Sequence, residues 1–276
     1  MPQWDPTRLT RKIPFNLALC GGRRQGKSTA LADLLQRNAS KFGLVVAFVG
    51  SAACNPVLEE LMDTHWDPRF FFSAWNDELV QRLLQQQEEL KRKGLSRDVL
   101  IIIDDVILDG PARNSLENMA MRGRHFRISL ACCAVSYVSL PKPVRRSLDC
   151  LLLFSCPMSG DLKVLTWEYA RRSEMARFAL DNLQRYECLV LETLERKQEL
   201  FNWRANEVTL ETLRMETEPP SPAAESGTKD GTGRTGGPDP GGPRPAPTCG
   251  PPDRTRSPDT GTDASRADGA GDPDGT

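Results

Sequence analysis

Phe15-Asn16-Leu17-Ala18-Leu19-Cys20, Gly21-Gly22-Arg23-Arg24-Gln25-Gly26-Lys27-Ser28 and Thr29-Ala30-Leu31-Ala32-Asp33-Leu34-Leu35 follow one another without a break, and this run decides the fold. The first six residues form an apolar strand, and the last seven carry apolar residues at helical spacing. Between them, every fixed position of the phosphate-loop pattern G-x-x-x-x-G-K-[ST] is filled. In such a loop the backbone N–H groups and the helix N-terminus converge on phosphates, the lysine reaches the outer ones and the hydroxyl holds Mg²⁺. Side chains at the glycine positions would keep the backbone away from the phosphate oxygens. Gly21, Gly22, Arg23, Arg24, Gln25, Gly26, Lys27, Ser28 and Thr29 are therefore the expected nucleotide-binding set, with ATP and Mg²⁺ as ligands.

Working outward, the next informative stretch is Val99-Leu100-Ile101-Ile102-Ile103-Asp104-Asp105. A hydrophobic strand that ends in an acid sets a carboxylate beside the phosphate loop, where it helps to hold Mg²⁺. Asp104 takes that role, with Ser28 as the other protein ligand. Asp105 is the candidate general base, because a second acid in this place reaches the attacking water. The chain is leaving its strand here, so the two acids should point differently. Paired Asp residues also cap turns, but a phosphate loop in the same chain favours the catalytic reading.

Other apolar runs complete an alternating pattern. Leu44–Val49, Val99–Ile103, Ile128–Val135 and Cys150–Phe154 read as buried strands. Helices are expected from Ser73 or Asn76 to Lys93, near Ala112–Met121, just after Pro141, and over Lys163–Gln184. Glu187–Leu194 and Gln198–Arg204 read as a closing hairpin with its turn at Glu195-Arg196. Continuous apolar strands between helices imply an α/β fold with a mainly parallel sheet covered on both faces.

The end of the chain is different in kind. Residues 216–276 contain no Phe, Trp, Tyr, Ile, Leu, Val or Met, yet hold 12 of the 21 prolines and 12 of the 21 glycines. Such a segment cannot bury enough apolar surface to offset its ordering entropy. We expect an ATPase domain over 1–215 and a disordered, acidic Pro/Gly-rich tail over 216–276. Residues 217–276 carry 6 Lys/Arg against 10 Asp/Glu, leaving 30 basic and 27 acidic residues elsewhere. That balance is too even to assign a nucleic-acid partner by itself. The basic residues are clustered, however, at Arg122, Arg124 and Arg127, at Lys142, Arg145 and Arg146, and at Arg171 and Arg172.

The Met1 end lacks the layout of a signal peptide, and no apolar run nears the roughly 20 residues that cross a bilayer. Neither secretion nor a membrane partner is expected. The 8 cysteines include no C-x-x-C pair and there are 2 histidines, which speaks for buried thiols over a zinc site or disulfide framework.

Two later elements narrow the phosphate-loop superfamily. Arg122-Gly123-Arg124-His125-Phe126-Arg127 precedes one strand, and Ser136-Tyr137-Val138-Ser139-Leu140-Pro141-Lys142-Pro143-Val144-Arg145-Arg146 follows it. With the two nucleotide motifs, they resemble the double-stranded DNA genome-packaging ATPases of poxvirus and Polinton type, in the FtsK–HerA group of P-loop motors. The likeness runs from about Phe15 to Arg204, including Tyr186-Glu187-Cys188-Leu189-Val190-Leu191-Glu192. It implies a three-layer P-loop NTPase of the RecA/FtsK-like ASCE type with a C-terminal β-hairpin. It also implies a homo-oligomeric ring, pentamer or hexamer, that pumps double-stranded DNA into a capsid with capsid or portal partners. The setting would be the virion or the host cell, at a nuclear or cytoplasmic assembly site.

A neighbouring subunit's arginine can stabilise the transition-state charge in such a ring. Arg124, Arg145 and Arg146 are candidates for that catalytic finger, equally for gripping DNA phosphates, or for plain surface charge. The family's polar sensor, typically Gln, falls here on Val135, so either Ser136 substitutes or the γ-phosphate is sensed differently. His125 reads as a packed or capping residue, and Lys91-Arg92-Lys93 as a complement to a helix dipole. Two other functions fit the nucleotide motifs. One is a P-loop kinase of a nucleoside or small molecule, with Arg171-Arg172 in a lid; the other is a non-hydrolysing nucleotide switch in virion assembly.

Overall fold

All five residues of β1 (Asn16–Cys20) are buried, because the strand lies inside a sheet with helices on both faces. The computed structural model describes residues 1–51, 55–155, 159–168, 180–193 and 199–217. The other strands are β2 (Leu44–Val49), β3 (Phe71–Phe72), β4 (Val99–Asp104), β5 (Ile128–Ala134), β6 (Cys150–Leu153), β7 (Glu187–Glu192) and β8 (Glu199–Arg204). The helices are α1 (Thr7–Thr10), α2 (Lys27–Asn38), α3 (Pro56–His65), α4 (Asp77–Arg92), α5 (Gly110–Arg122), α6 (Lys142–Arg146), α7 (Ser159–Glu168) and α8 (Leu210–Thr217). Their sheet order is β3-β2-β4-β5-β1-β6-β7-β8. From β3 through β6 all pairs are parallel; β7 and β8 join antiparallel as the closing hairpin.

Successive strand residues face opposite sides, and here both sides are core. Leu17, Leu19, Val45, Ala47, Leu100 and Ile102 pack with Leu31 and Leu35 of α2, Leu58 and Met62 of α3, and Leu213 of α8. Ala18, Val46, Phe48, Ile101 and Ile103 pack with Val80 and Leu83 of α4, Leu116 and Met119 of α5, and Leu165 of α7. Each fully buried Leu or Ile contributes about 1.5–3 kcal/mol, so the two layers hold the sheet from both faces. This is the three-layer α/β fold expected from the apolar runs.

Local signals match the helix starts. Asn76 accepts the Leu79 amide at 2.9 Å and Asp109 accepts the Ala112 amide at 2.9 Å. Gly94, at φ 70°, follows the end of α4. Elements α1, β3 and α8 were not expected, α8 running two residues into the expected tail, and two further features differ from expectation. Helix α3, capped by Asn55 with Pro56 at its first position, went unassigned although Asn-Pro is a start signal. Helix α7 begins four residues before Lys163, because buried Asp161 in its first turn is bonded to the Tyr137 and Val138 amides. The expected remainder of that helix over 169–179 and the hairpin turn at 195–196 lie outside the described residues. So does the expected tail, except for residues 216 and 217 in α8.

The edge strand β8 is partly covered. The Trp4 amide donates to the Asn202 carbonyl and the Asn202 amide to the Pro2 carbonyl, while Trp4 packs edge-on against Trp203. Cys20, Cys132, Cys133, Cys150 and Cys188 are buried thiols, and burial pushes the Cys132 thiol up to about 12. These thiols are packing residues. Among the described residues, no helix is long and apolar enough to cross a membrane.

Candidate nucleotide site

The phosphate loop hangs between the ends of two strands. The Gly21 amide donates to the Ala134 carbonyl at the end of β5, and the Gly22 amide to the Ser155 carbonyl just past β6. Gly26 has φ 106°, a left-handed conformation that a side chain disfavours, and its carbonyl accepts the Ala30 amide to start α2. Lys27 folds over the loop, its Nζ donating to the Gly21 and Gly22 carbonyls at 2.8 Å each. Gln25 and Thr29 are half-buried, whereas Arg23, Arg24 and Ser28 are exposed.

Across a cleft of about 270 Å³ lie Asp104 and Asp105; Arg23, Arg24, Lys27, Ser28, Ser51, Asn55 and Val135 also line it. Asp104 ends β4, is only 9% exposed and lines the cleft with Lys27, Ser28 and Cys133. Burial pushes its carboxyl above the ordinary value, against the Lys27 charge and with help from Asp105. The two expected Mg²⁺ ligands thus line the same cleft.

Asp105 turns the other way. Its φ of 53° takes the chain sharply out of the strand, and its carboxylate is exposed. The Ser51 hydroxyl donates to Asp105 Oδ2 at 2.5 Å. A Cβ on Gly50 would sit 1.9 Å from the Asp105 carbonyl oxygen, so this turn closes only over a glycine. Sequence reading missed Gly50, Ser51 and Asn55. For Gly50 and Ser51 the only signal was position, immediately past the strand that pairs with β4; Asn55 also carried its Asn-Pro helix-start signal.

Val135 is 40% exposed and lines the cleft. Ser136 does not line it: its hydroxyl donates to Asp161 Oδ1 at 2.7 Å. Ser51 and Asn55 are polar residues that do line the cleft with Val135.

The three arginines do not line this cleft. Arg124 donates to Asp149 Oδ2 at 2.7 Å and to the Ser147 carbonyl, and Asp149 also accepts the Asn16 amide. Asn16 begins β1, so this cluster sits at the opposite end of the strand, ~13 Å from the loop at about 3.3 Å per residue. Arg145 is inside, its guanidinium over the Tyr137 ring and 3.6 Å from Glu168, with buried Nε and Nη1 lacking hydrogen-bond partners among the described residues. Arg146 is exposed and, with Arg124 and Lys142, lines a basin of about 670 Å³. His125 is exposed, not packed; its carbonyl accepts from Lys91 at the end of α4. Arg171 and Arg172 lie outside the described residues. No group of three or more His, Cys, Asp or Glu among the described residues could hold a metal.

Several solved structures share this fold. B204, the DNA-packaging ATPase from Sulfolobus turreted icosahedral virus, is 14% identical over 72% of this chain and all of its own, with a TM-score of 0.50. The pCW3 conjugation coupling protein TcpA is 10% identical over 74% of this chain and 63% of its own, at 0.51. EssC from Geobacillus thermodenitrificans is 14% identical over 73% of this chain and 42% of its own, at 0.50. No curated protein sequence matches the chain. The family described as Poxvirus A32 protein matches residues 2–174, well over half of the chain and both nucleotide motifs. A phosphate loop, a strand-end acid pair and a three-layer P-loop ATPase fold thus come together in a chain that belongs to the poxvirus A32 protein family.

Proposed function

We propose that this chain is an ATP-driven motor that moves double-stranded viral DNA into a preformed capsid. The observation that carries the reading is the meeting of Lys27, Ser28, Asp104 and Asp105 in one cleft at the carboxyl ends of the central strands. Family membership and the fold held in common with the B204 DNA-packaging ATPase support tying that chemistry to genome packaging.

In this reading the triphosphate lies along the amides of residues 21–28, and Lys27 exchanges two loop carbonyls for outer phosphate oxygens. Mg²⁺ fits Ser28 and Asp104, since both are hard oxygen donors lining one cleft and such sites use one or two carboxylates plus substrate phosphates. When bound, it neutralises charge on the phosphate oxygens. Asp105 takes the proton of the attacking water. Ser51 fixes one oxygen of that carboxylate, and the other receives the proton.

Copies of the chain form a ring, a pentamer or hexamer, at a nuclear or cytoplasmic assembly site with capsid or portal partners. Exposed Ile107, Val135 and Val138, in the loops beyond β4 and β5, offer an apolar face to a neighbour. Arg146 is the first candidate for an arginine acting on that neighbour's nucleotide, because Arg124 and Arg145 are engaged within their own subunit. Phosphate gripping by basic residues needs no base-specific geometry.

The test is the ATPase rate with and without duplex DNA, together with the mass of the nucleotide-bound assembly. Stimulation by DNA in a multi-subunit ring is expected. A monomer indifferent to DNA but dependent on a small acceptor would identify a kinase. Nucleotide-dependent assembly with negligible phosphate release would identify a switch.

A further inference from the structure

The cleft has a direction. Asp104, Asp105 and Val135 lie on the β4–β5 side of the phosphate loop, so a terminal phosphate facing them sends the nucleoside the other way, over β6 and β7. Tyr186, immediately before β7, is waiting on that side. A Cβ on Gly26 would lie 2.7 Å from Tyr186 Cδ1 and 3.2 Å from its Cα, so this residue touches the loop itself. Tyr186 has φ 67°, a conformation that a bulky aromatic rarely adopts and that is found where function demands it. The Arg185 guanidinium lies over the Tyr186 ring, 4.8 Å from its centroid. Arg185 is exposed and Tyr186 half-buried.

We propose that Tyr186, with Arg185 stacked on it, is the nucleobase shelf of the triphosphate site. This rests on the reading of residues 21–28 as a nucleoside triphosphate site. An aromatic ring and a guanidinium plane present faces to a base and do not read its edge, so the shelf stacks any base. ATP and GTP should gain from it about equally.

Calorimetric titrations with ATP, GTP and inorganic tripolyphosphate, each with Mg²⁺, separate the possibilities. Tyr186→Asn removes the ring while keeping a residue that tolerates positive φ. It should weaken ATP and GTP about tenfold and leave tripolyphosphate unchanged, as stacking energies predict. Tyr186→Phe should restore both nucleotides. Arg185→Ala, at an exposed position, should weaken both nucleotides a few-fold and tests the shelf even if the Tyr186 variant does not fold. Equal losses for nucleotide and tripolyphosphate would mean that Tyr186 only buttresses the loop, overturning the proposal. Unchanged nucleotide binding in the Tyr186→Asn and Arg185→Ala variants would overturn it too. If wild-type protein binds neither ATP nor tripolyphosphate, the failure belongs to the phosphate-loop reading instead.

Discussion

The two ends of the central strands use charge in opposite ways. At the carboxyl end, Lys27, Asp104 and Asp105 face an open cleft, and Lys27 is held by carbonyls that a phosphate can replace. At the amino end, Arg124, Asp149, Ser147 and the Asn16 amide satisfy one another around the start of β1. The difference teaches that a charged motif is not functional by virtue of its charge. What counts is whether its partners inside the fold leave it free to meet a ligand.

The largest effects should come from the open end. Lys27→Ala is expected to abolish nucleotide binding, read by calorimetry. Asp105→Asn should keep binding but lower turnover by about 10²–10⁴, the usual contribution of a general base; normal hydrolysis by this variant would remove Asp105 from that role. At the closed end the loss should appear as stability. Asp149→Ala leaves Arg124 and the Asn16 amide without their acceptor and should cost about 2–3 kcal/mol in denaturant unfolding, with ATP affinity unchanged.

A smaller effect sharpens the contrast. Ser51→Ala should reduce kcat about tenfold at constant KM for ATP, and Ser51→Thr should recover it; a change in KM alone would make the Ser51 bond a matter of binding. The smallest effect is in pH. Burial holds the Asp149 carboxyl above its ordinary value of 3.8, against the Asn16 amide and Arg124. A raised carboxyl favours the folded state when protonated, so that contribution is complete below the unfolded value and is lost as pH rises through the folded one. Wild type should therefore lose stability relative to Asp149→Asn as pH rises from acid, measured by unfolding at a series of pH values.

Much of the fold was legible because its determinants are local. Strand runs buried on both faces need no partner information to be read, and Asn76 and Asp109 announce their helices within three residues. That Lys27, Ser28, Asp104 and Asp105 would meet in one cleft was legible because phosphate chemistry constrains residue type and spacing together. Ser51 and Gly50 were not, since their role depends on β2 pairing in register with β4, Val49 opposite Asp104. Tyr186 was hidden for a similar reason: 160 positions past Gly26 in the chain, it meets the loop only through the antiparallel return of β7. Arg145 read as a catalytic finger, a DNA-phosphate contact or a plain surface charge, but tertiary packing turned it inward over Tyr137. The Asn55-Pro56 start signal was present and went unused, a shortfall of reading and not of information.

The pairing of the first few residues with Asn202 has a bearing on how copies can meet. Where those residues lie along β8, a second chain could not extend the sheet from that edge without first peeling them away, and the opposite edge, β3, is only two residues long. In the proposed ring, contacts between copies would then fall mainly on loops and helix faces, where they can be broken and remade at every turnover. A motor of the proposed kind, stepping repeatedly, is better served by such joints than by a continuous β-ladder.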